Sequence, residues 1–458
     1  MVRGASLASG RTAVTVTRNG QHFEAEVGDE AIALGRPQVP GVEVVRRASA
    51  SLDAWVVRGR PGEDGVAVAQ RLAAAGVEAS ANVWLARFPA GWPVPPNDAR
   101  YEAQWYLKTL RIEGAWRLTQ GSADIVVAVI DSGCDATHPD LKNKLLPGRD
   151  VIDRDDDPTP PAGRQGSNHG TACAGLVAAE TNNAEGMAGA CPECKLRCIR
   201  MLGNRGDLIP ITADLEAFDF VVSTQADVVS NSWSYGPSTP VPPMVAQAIT
   251  TVLSSGRGGR GAVVVFAAGN DDNVITSDRV AAVPGVITVG ALNNFDEAAP
   301  FSNRGEALSV TSPTGTFTLD IVGADGDSTG DYTSLFGGTS SACPLVAGIA
   351  GLVLSAKPDA SPAEVKSLLE ATARRAPFAV PDARGHDALY GYGIVDPTHA
   401  LQRVMGVEPD AGVDAGVVEV LPETLGPSAP GGCHCGAVGG EAVLGGALLL
   451  VFRRALRR

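Results

Sequence analysis

Positive charge is scarce in this chain. Thirty-seven Lys and Arg stand against 51 Asp and Glu in 458 residues, a net charge of −14. No Lys/Arg-rich patch occurs before the last residues, which argues against nucleic-acid binding. Charge of either sign is thin, at 19% against 44% hydrophobic residues. That balance implies a large core and two or three domains. Long hydrophobic runs are missing as well. Residues 442–452 form eleven uninterrupted apolar positions, short of the ~20 that cross a bilayer. Residues 5–13 contain no long apolar region, so no secretory signal is visible after Met1; the natural start is expected upstream or at another position. Cysteine is limited to eight residues. Three crowd together as Cys191, Cys194 and Cys198, but no second CxxC or His pair completes a tetrahedral metal set. A metal site and a local disulfide both remain open there; the disulfide is the expectation for an exported protein.

Glycine (54) and proline (31) are plentiful, as many turns between buried strands require. The most informative stretch is Gly-Thr-Ser-Ser-Ala-Cys-Pro-Leu-Val-Ala-Gly at 338–348. It places Ser340 at the start of a buried helix, where N-terminal amides point at whatever the hydroxyl attacks. A lone serine needs a base. Upstream, the β-branched run 125–130 reads as a buried parallel strand ending in Asp131. Such a strand end is the usual site edge of an open α/β sheet. Asn-His-Gly-Thr at 168–171 opens a small-residue helix with His169. A further buried strand, 261–266, runs into Ala267-Ala268-Gly269-Asn270.

These segments, in the order Asp131, His169, Ser340, resemble the subtilisin-like serine proteases (subtilases) over about residues 97–404; this order is that of subtilisin. The resemblance implies an α/β fold: a subtilisin-like three-layer arrangement with a mostly parallel central sheet, plus a small α+β N-terminal propeptide-like domain. It implies a secreted or surface-anchored endopeptidase acting on protein or peptide substrates. Asp131, His169 and Ser340 would be the triad, and Asn270 an oxyanion donor. Ser232, Trp233 and Ser234 would line one side of the groove as a strand, and Ala267, Ala268 and Gly269 the other. The Ser-Asn-Ser-Trp run is kexin-like, but Tyr-Gly-Pro-Ser at 235–238 replaces the acidic residues kexins carry. Ser234 stands where glycine is usual, and no P-domain follows. Asp98, Asp140 and Asn183 match a calcium site, whose oxygen ligands would pin the N-terminal segment of the catalytic domain. Cys173 resembles the buried thiol of proteinase K-like subtilases, and Cys343 reads as a packing thiol.

Four regions are expected. Residues 1–96 form the N-terminal domain, with a hairpin turn at Asn19-Gly20, a βαβ layout ending in a strand at 82–88, and an inhibitory role toward the groove. Four prolines at 89–96 mark an exposed linker suited to maturation. Residues 97–404 form the catalytic domain, and 405–432 an acidic, Pro/Gly-rich spacer. Residues 433–458 resemble a myxobacterial sorting tail, with Cys433 and Cys435, a short apolar run and a basic end; membrane contact is confined to this tail. A second class is a surface adhesion protein whose groove stays covered by residues 1–96.

Overall fold

The computed structural model describes residues 2–6, 11–18, 21–84, 94–161, 167–203 and 208–407. The Asn19-Gly20 turn, most of the proline linker, the spacer from 408 and the tail at 433–458 lie outside them. The chain divides into two compact units, Met1–Gly91 and Trp92–Arg458.

In the first unit, strands β1 (Val2–Ser6), β2 (Thr12–Arg18), β3 (Gln21–Leu34), β4 (Glu43–Ser49), β5 (Ala54–Arg58) and β6 (Ala79–Trp84) form one sheet with helix α1 (Gly65–Ala74). β2 and β3 pair antiparallel with Arg18 opposite Gln21. β5 and β6 both pair antiparallel with β3, so β5–α1–β6 is a βαβ unit split by a central strand. β1 and β4 have no counterpart in the sequence reading. Asp64 caps α1 by accepting from Ala67 N–H, an interaction worth about 1 kcal/mol. The helix buries Val68, Ala69 and Leu72 against Ala31, Ala33 and Val57.

The second unit begins with short helices α2 (Trp105–Thr109) and α3 (Ile112–Trp116). Seven strands follow: β7 (Val126–Asp131), β8 (Arg149–Asp150), β9 (Lys195–Arg200), β10 (Val228–Asn231), β11 (Val263–Ala267), β12 (Ile287–Leu292) and β13 (Val310–Pro313). They form one sheet in the order β13-β12-β11-β10-β7-β9-β8, all parallel. A strand with both faces covered needs apolar residues at every position, which is why Val127, Val129 and Ile130 in β7 and Val263–Phe266 in β11 are fully buried. Each such side chain contributes about 1.5–3 kcal/mol. On one face lie α4 (His169–Ala178) and α7 (Thr339–Ala356); on the other lie α5 (Thr212–Ser223) and α6 (Pro243–Gly259). The hairpin β14 (Thr316–Leu319) and β15 (Tyr332–Phe336) leads into α7, and α8 (Pro362–Thr372) and α9 (Pro397–Met405) close the unit. α7 has the length and hydropathy of a membrane span, but 89% of it is buried inside the protein; it is the core helix.

The cysteine expectation is corrected in one respect. Cys191 and Cys194 form a local disulfide, but Cys198 pairs with Cys134, 64 residues away. That bridge ties β9 to the loop after β7. A bridge closing so long a loop stabilises by about 4 kcal/mol through chain entropy.

Candidate active site

Asp131 ends the inner strand β7, His169 opens α4, and Ser340 is the second residue of α7. The loops bearing Asp131 and His169 are stitched together by Ser132. Its hydroxyl donates to Ser167 O (3.0 Å) and accepts from Gly170 N–H (2.9 Å). A β-carbon on Gly170 would run into the Gly133 carbonyl, so glycine after the histidine permits this approach.

His169 Nδ1–H donates to Asp131 Oδ1 at 2.8 Å. Asp131 is 1% exposed, and the same oxygen accepts from Ser132 N–H at 2.7 Å. Burial pulls the His169 pKa down, but the Asp131 charge and hydrogen bond, helped by the Asp327 charge, leave it above its ordinary 6.5. The ring is braced edge-on by Phe336, with centroids 5.1 Å apart. Ser340 Oγ donates to Ser232 O at 3.3 Å. In this state the hydroxyl faces that carbonyl, not the histidine.

Cys173 Sγ lies 3.9 Å from His169 Nδ1 and donates to Ser340 O at 3.7 Å. Cys343 Sγ donates to Asn231 O at 3.5 Å. Burial raises Cys173 well above the ordinary thiol range and pushes Cys343 up to about 12. Both are neutral packing thiols, poor nucleophiles for that reason.

Asn270 follows β11. Its Oδ1 accepts from Thr339 N–H (2.8 Å) and Thr339 Oγ1 (3.0 Å). With Oδ1 committed to Thr339, the Asn270 NH2 is the side-chain group left as a donor. Gly338, at φ 73°, makes the sharp entrance to α7. The first N–H groups of a helix have no intrahelical partner, and Asn270 is held at that helix start by its two bonds to Thr339.

The groove residues separate into two kinds. β10 stops at Asn231, so residues 232–236 are not a strand. Ser234 is exposed, but Trp233 turns inward, 8% exposed, against Phe218, Phe266 and Tyr235. Its role is to brace the segment from beneath. Ala267 and Ala268 are buried, and Gly269 sits at φ 99°. A pocket lined by Ser234, Tyr235, Ala268, Asp271, Arg279 and Asn303, among others, opens beside them. Asp271, Arg279 and Asn303 carry no sequence pattern that marks them; only the chain reversal after Asn270 brings them there.

Asp98, Asp140 and Asn183 meet at one place. Asn183 Nδ2–H donates to Asp140 Oδ1 (2.7 Å), and Met187 N–H and Tyr332 O–H donate to Asp140 Oδ2 (3.0 and 3.2 Å). Asp98 Oδ2 accepts from Asn182 N–H at 2.8 Å, while Asp98 Oδ1 is buried with no partner.

A family model described as the subtilase family matches residues 122–393. The chain is 32% identical over 356 residues to a calcium-dependent protease of Nostoc sp., covering 68% of this chain and 52% of that one. It is 35% identical over 319 residues to a thermophilic serine proteinase of Bacillus sp., covering 69% and 70%. A solved structure of a protease from Pseudoalteromonas arctica aligns with a TM-score of 0.58 at 31% identity, over 68% of this chain and 99% of that one. The chain spans about half the length of the Nostoc relative. The fold is subtilisin-like.

Proposed function

Since the chain belongs to the subtilase family, we propose that it is a serine endopeptidase working through an acyl-enzyme on Ser340. The observation that carries this reading is the 2.8 Å His169–Asp131 hydrogen bond beside the N-terminus of α7. His169 Nε2 has no protein partner among the described residues. The Ser340 hydroxyl turns from Ser232 O to that nitrogen when substrate binds, a tightening common to catalytic hydrogen bonds. His169 then takes the proton as Ser340 Oγ attacks the peptide carbonyl. Asp131 holds the tautomer and stabilises the imidazolium, and Asn270 Nδ2–H and Ser340 N–H receive the oxyanion. His169 returns the proton to the leaving amine, and water hydrolyses the acyl-enzyme.

The test is a pH–rate profile on a peptide substrate. The base must be neutral, so kcat/KM should fall on acidification, with a midpoint above 6.5 because the His169 pKa is raised. A profile flat from pH 5 to 9, with chemistry rate-limiting, removes His169 from the role.

Calcium fits Asp98 and Asp140. The orphaned Asp98 Oδ1 is a buried oxygen in want of a cation, and both carboxylates are hard ligands. Asn183 now turns its NH2 toward Asp140, so it would ligate only after its amide flips. The ion would supply charge neutralisation and a link between segments 84 residues apart at Asp98 and Asn182. Chelation is expected to lower Tm by several degrees while scarcely changing the initial rate at 25 °C. Equal Tm with excess calcium and with chelator, measured calorimetrically, rejects the site.

The first unit is proposed as the inhibitory propeptide, cut from the second at 89–97. Export is supported by the two disulfides. The tail at 433–458 is proposed as a sorting signal removed near Cys433; mass spectrometry of the exported protein should find no peptide containing residues 448–452, and recovering one would indicate a retained anchor.

A further inference from the structure

After β11 the chain passes through residues 268–273, which are neither strand nor helix. Backbone polar groups outside regular structure need partners from elsewhere. One side chain supplies three of them. Asn303 Oδ1 accepts from Asp271 N–H (3.1 Å) and Asn273 N–H (2.9 Å), and Asn303 Nδ2–H donates to Ala268 O (3.0 Å). The Asn303 backbone N–H donates to Gly269 O at 2.9 Å. These contacts fall on both sides of Asn270, at 268, 269, 271 and 273. A side-chain amide is the group that fits, with an oxygen that accepts twice and an NH2 that donates. The partners also fix its orientation, because the reversed amide would turn its NH2 toward two N–H groups. Gly269 permits the approach: a β-carbon there would lie 2.4 Å from Asn303 Nδ2.

A second clamp comes from the residue before Ser340. Thr339 Oγ1 accepts from Gly269 N–H (3.1 Å), and the Thr339 N–H and hydroxyl donate to Asn270 Oδ1 (2.8 and 3.0 Å). Thr339 belongs to α7, and Asn303 to the segment between β12 and β13. Asn270 is therefore held through its side chain by one element and through its flanking backbone by another. Two backbone bonds keep segments 269–273 and 301–304 together without the Asn303 side chain: Asp272 N–H to Phe301 O (2.9 Å) and Arg304 N–H to Asn273 O (3.0 Å). Trimming that side chain leaves the course of the chain in place and frees the backbone next to Asn270.

We propose that Asn303 is a positioning residue for the reaction, acting through Asn270, whose flanking backbone it fixes. The inference rests on the peptidase reading above and on the oxyanion role proposed there for Asn270. A donor to a developing charge is effective when it is in place before the reaction starts. A misplacement of about 1 Å at a reacting centre can cost about 100-fold in rate. Asn303 also lines the pocket beside Ala268. Some loss of substrate binding therefore accompanies the loss of rate, and KM by itself does not report the role.

The experiment is a double-mutant cycle on the full chain after maturation, with peptide hydrolysis followed on the alkaline plateau, where His169 is neutral. Asn303→Ala is expected to lower kcat by about 10- to 100-fold and to raise KM by no more than about 3-fold. In an Asn270→Asp background, which has already lost the donor, the same substitution should cost less than about 2-fold in kcat. Inhibition gives a readout independent of turnover. A peptide aldehyde, whose adduct with Ser340 carries the oxyanion, should bind Asn303→Ala about 10-fold more weakly or worse, and the matching peptide alcohol, which forms no adduct, within about 3-fold of wild type. If Asn303→Ala does not fold, the cycle is run with Asn303→Asp, which keeps both accepting bonds and loses the donation to Ala268 O. Equal losses in the two backgrounds, or an unchanged kcat in the Asn303 variant, overturn the proposal while leaving the peptidase reading intact. An undiminished kcat in Asn270→Asp removes the donor and this proposal with it, again without touching Ser340. Failure of the wild type to cleave any of a broad peptide set overturns the peptidase reading itself.

Discussion

Ser340→Ala is expected to lower kcat on peptide substrates by about 10⁶-fold, the size of loss recorded when subtilisin itself loses its nucleophile. The remaining rate would come from the oxyanion donors and from binding, which the substitution leaves in place. Neither nearby thiol can substitute, because burial keeps Cys173 and Cys343 protonated. KM should change little, since the Ser340 side chain makes a single hydrogen bond, to Ser232 O. The same variant should fail to cut its own 89–97 segment. Purified Ser340→Ala that still matures in a protease-free preparation would show that the cleavage is not intramolecular. Undiminished peptide hydrolysis would remove Ser340 from the chemistry altogether.

The second large effect concerns Asn270. Loss of its NH2 removes one of the two donors proposed for the oxyanion, at an expected cost of about 10²–10³ in kcat, or about 2.7–4 kcal/mol, a magnitude taken from subtilisin. The choice of substitution matters here. Asn270 Oδ1 also holds the Thr339 N–H and hydroxyl, so Asn270→Ala would loosen the first turn of α7 as well. Asn270→Asp keeps an acceptor for Thr339 and places a charge that repels the oxyanion; its loss should equal or exceed that of the alanine variant, with Tm nearly unchanged. Thr339→Val separates the two roles further. It keeps the Thr339 N–H bond to Asn270 Oδ1 and deletes the two hydroxyl bonds, one donated to Asn270 Oδ1 and one accepted from Gly269 N–H, and its effect on kcat should stay within about tenfold. If Asn270→Asp retains more than a tenth of the wild-type kcat, Asn270 is not an oxyanion donor.

Much of the second unit could be read before any coordinates. The run 125–130 reads as a buried parallel strand, and β7 occupies Val126–Asp131 between β10 and β9 in the sheet. The helices opening at His169 and just before Ser340 were visible as small, apolar runs after a glycine-containing turn. Other features had no local signal. Cys198 was assigned to a local cluster, because spacing in sequence cannot show that β9 lies beside β7 and so brings Cys134 within bonding distance. The pattern places Trp233 with the groove segment, and the fold packs its ring against Phe218 and Phe266. A large apolar side chain at the end of a strand serves either place equally well as far as pattern goes. β12 and β13 went unread, although they complete the sheet on the far side of β11.

The kind of chemistry and its order along the chain are legible in the residues alone. A carboxylate ends a buried strand, a histidine opens one helix and a serine opens another. Those features are local: β-branched runs, turns and helix starts are imposed by neighbours a few residues away. What the tertiary structure alone decided is which side chains meet. The Asp131–His169 bond spans 38 residues, the Asn270–Thr339 contacts 69, and the bond from Val322 N–H to Asp135 Oδ2 187. Such contacts depend on strand order and on how α4 and α7 pack on one face of the sheet, and that packing is set by the whole core, not by any one segment.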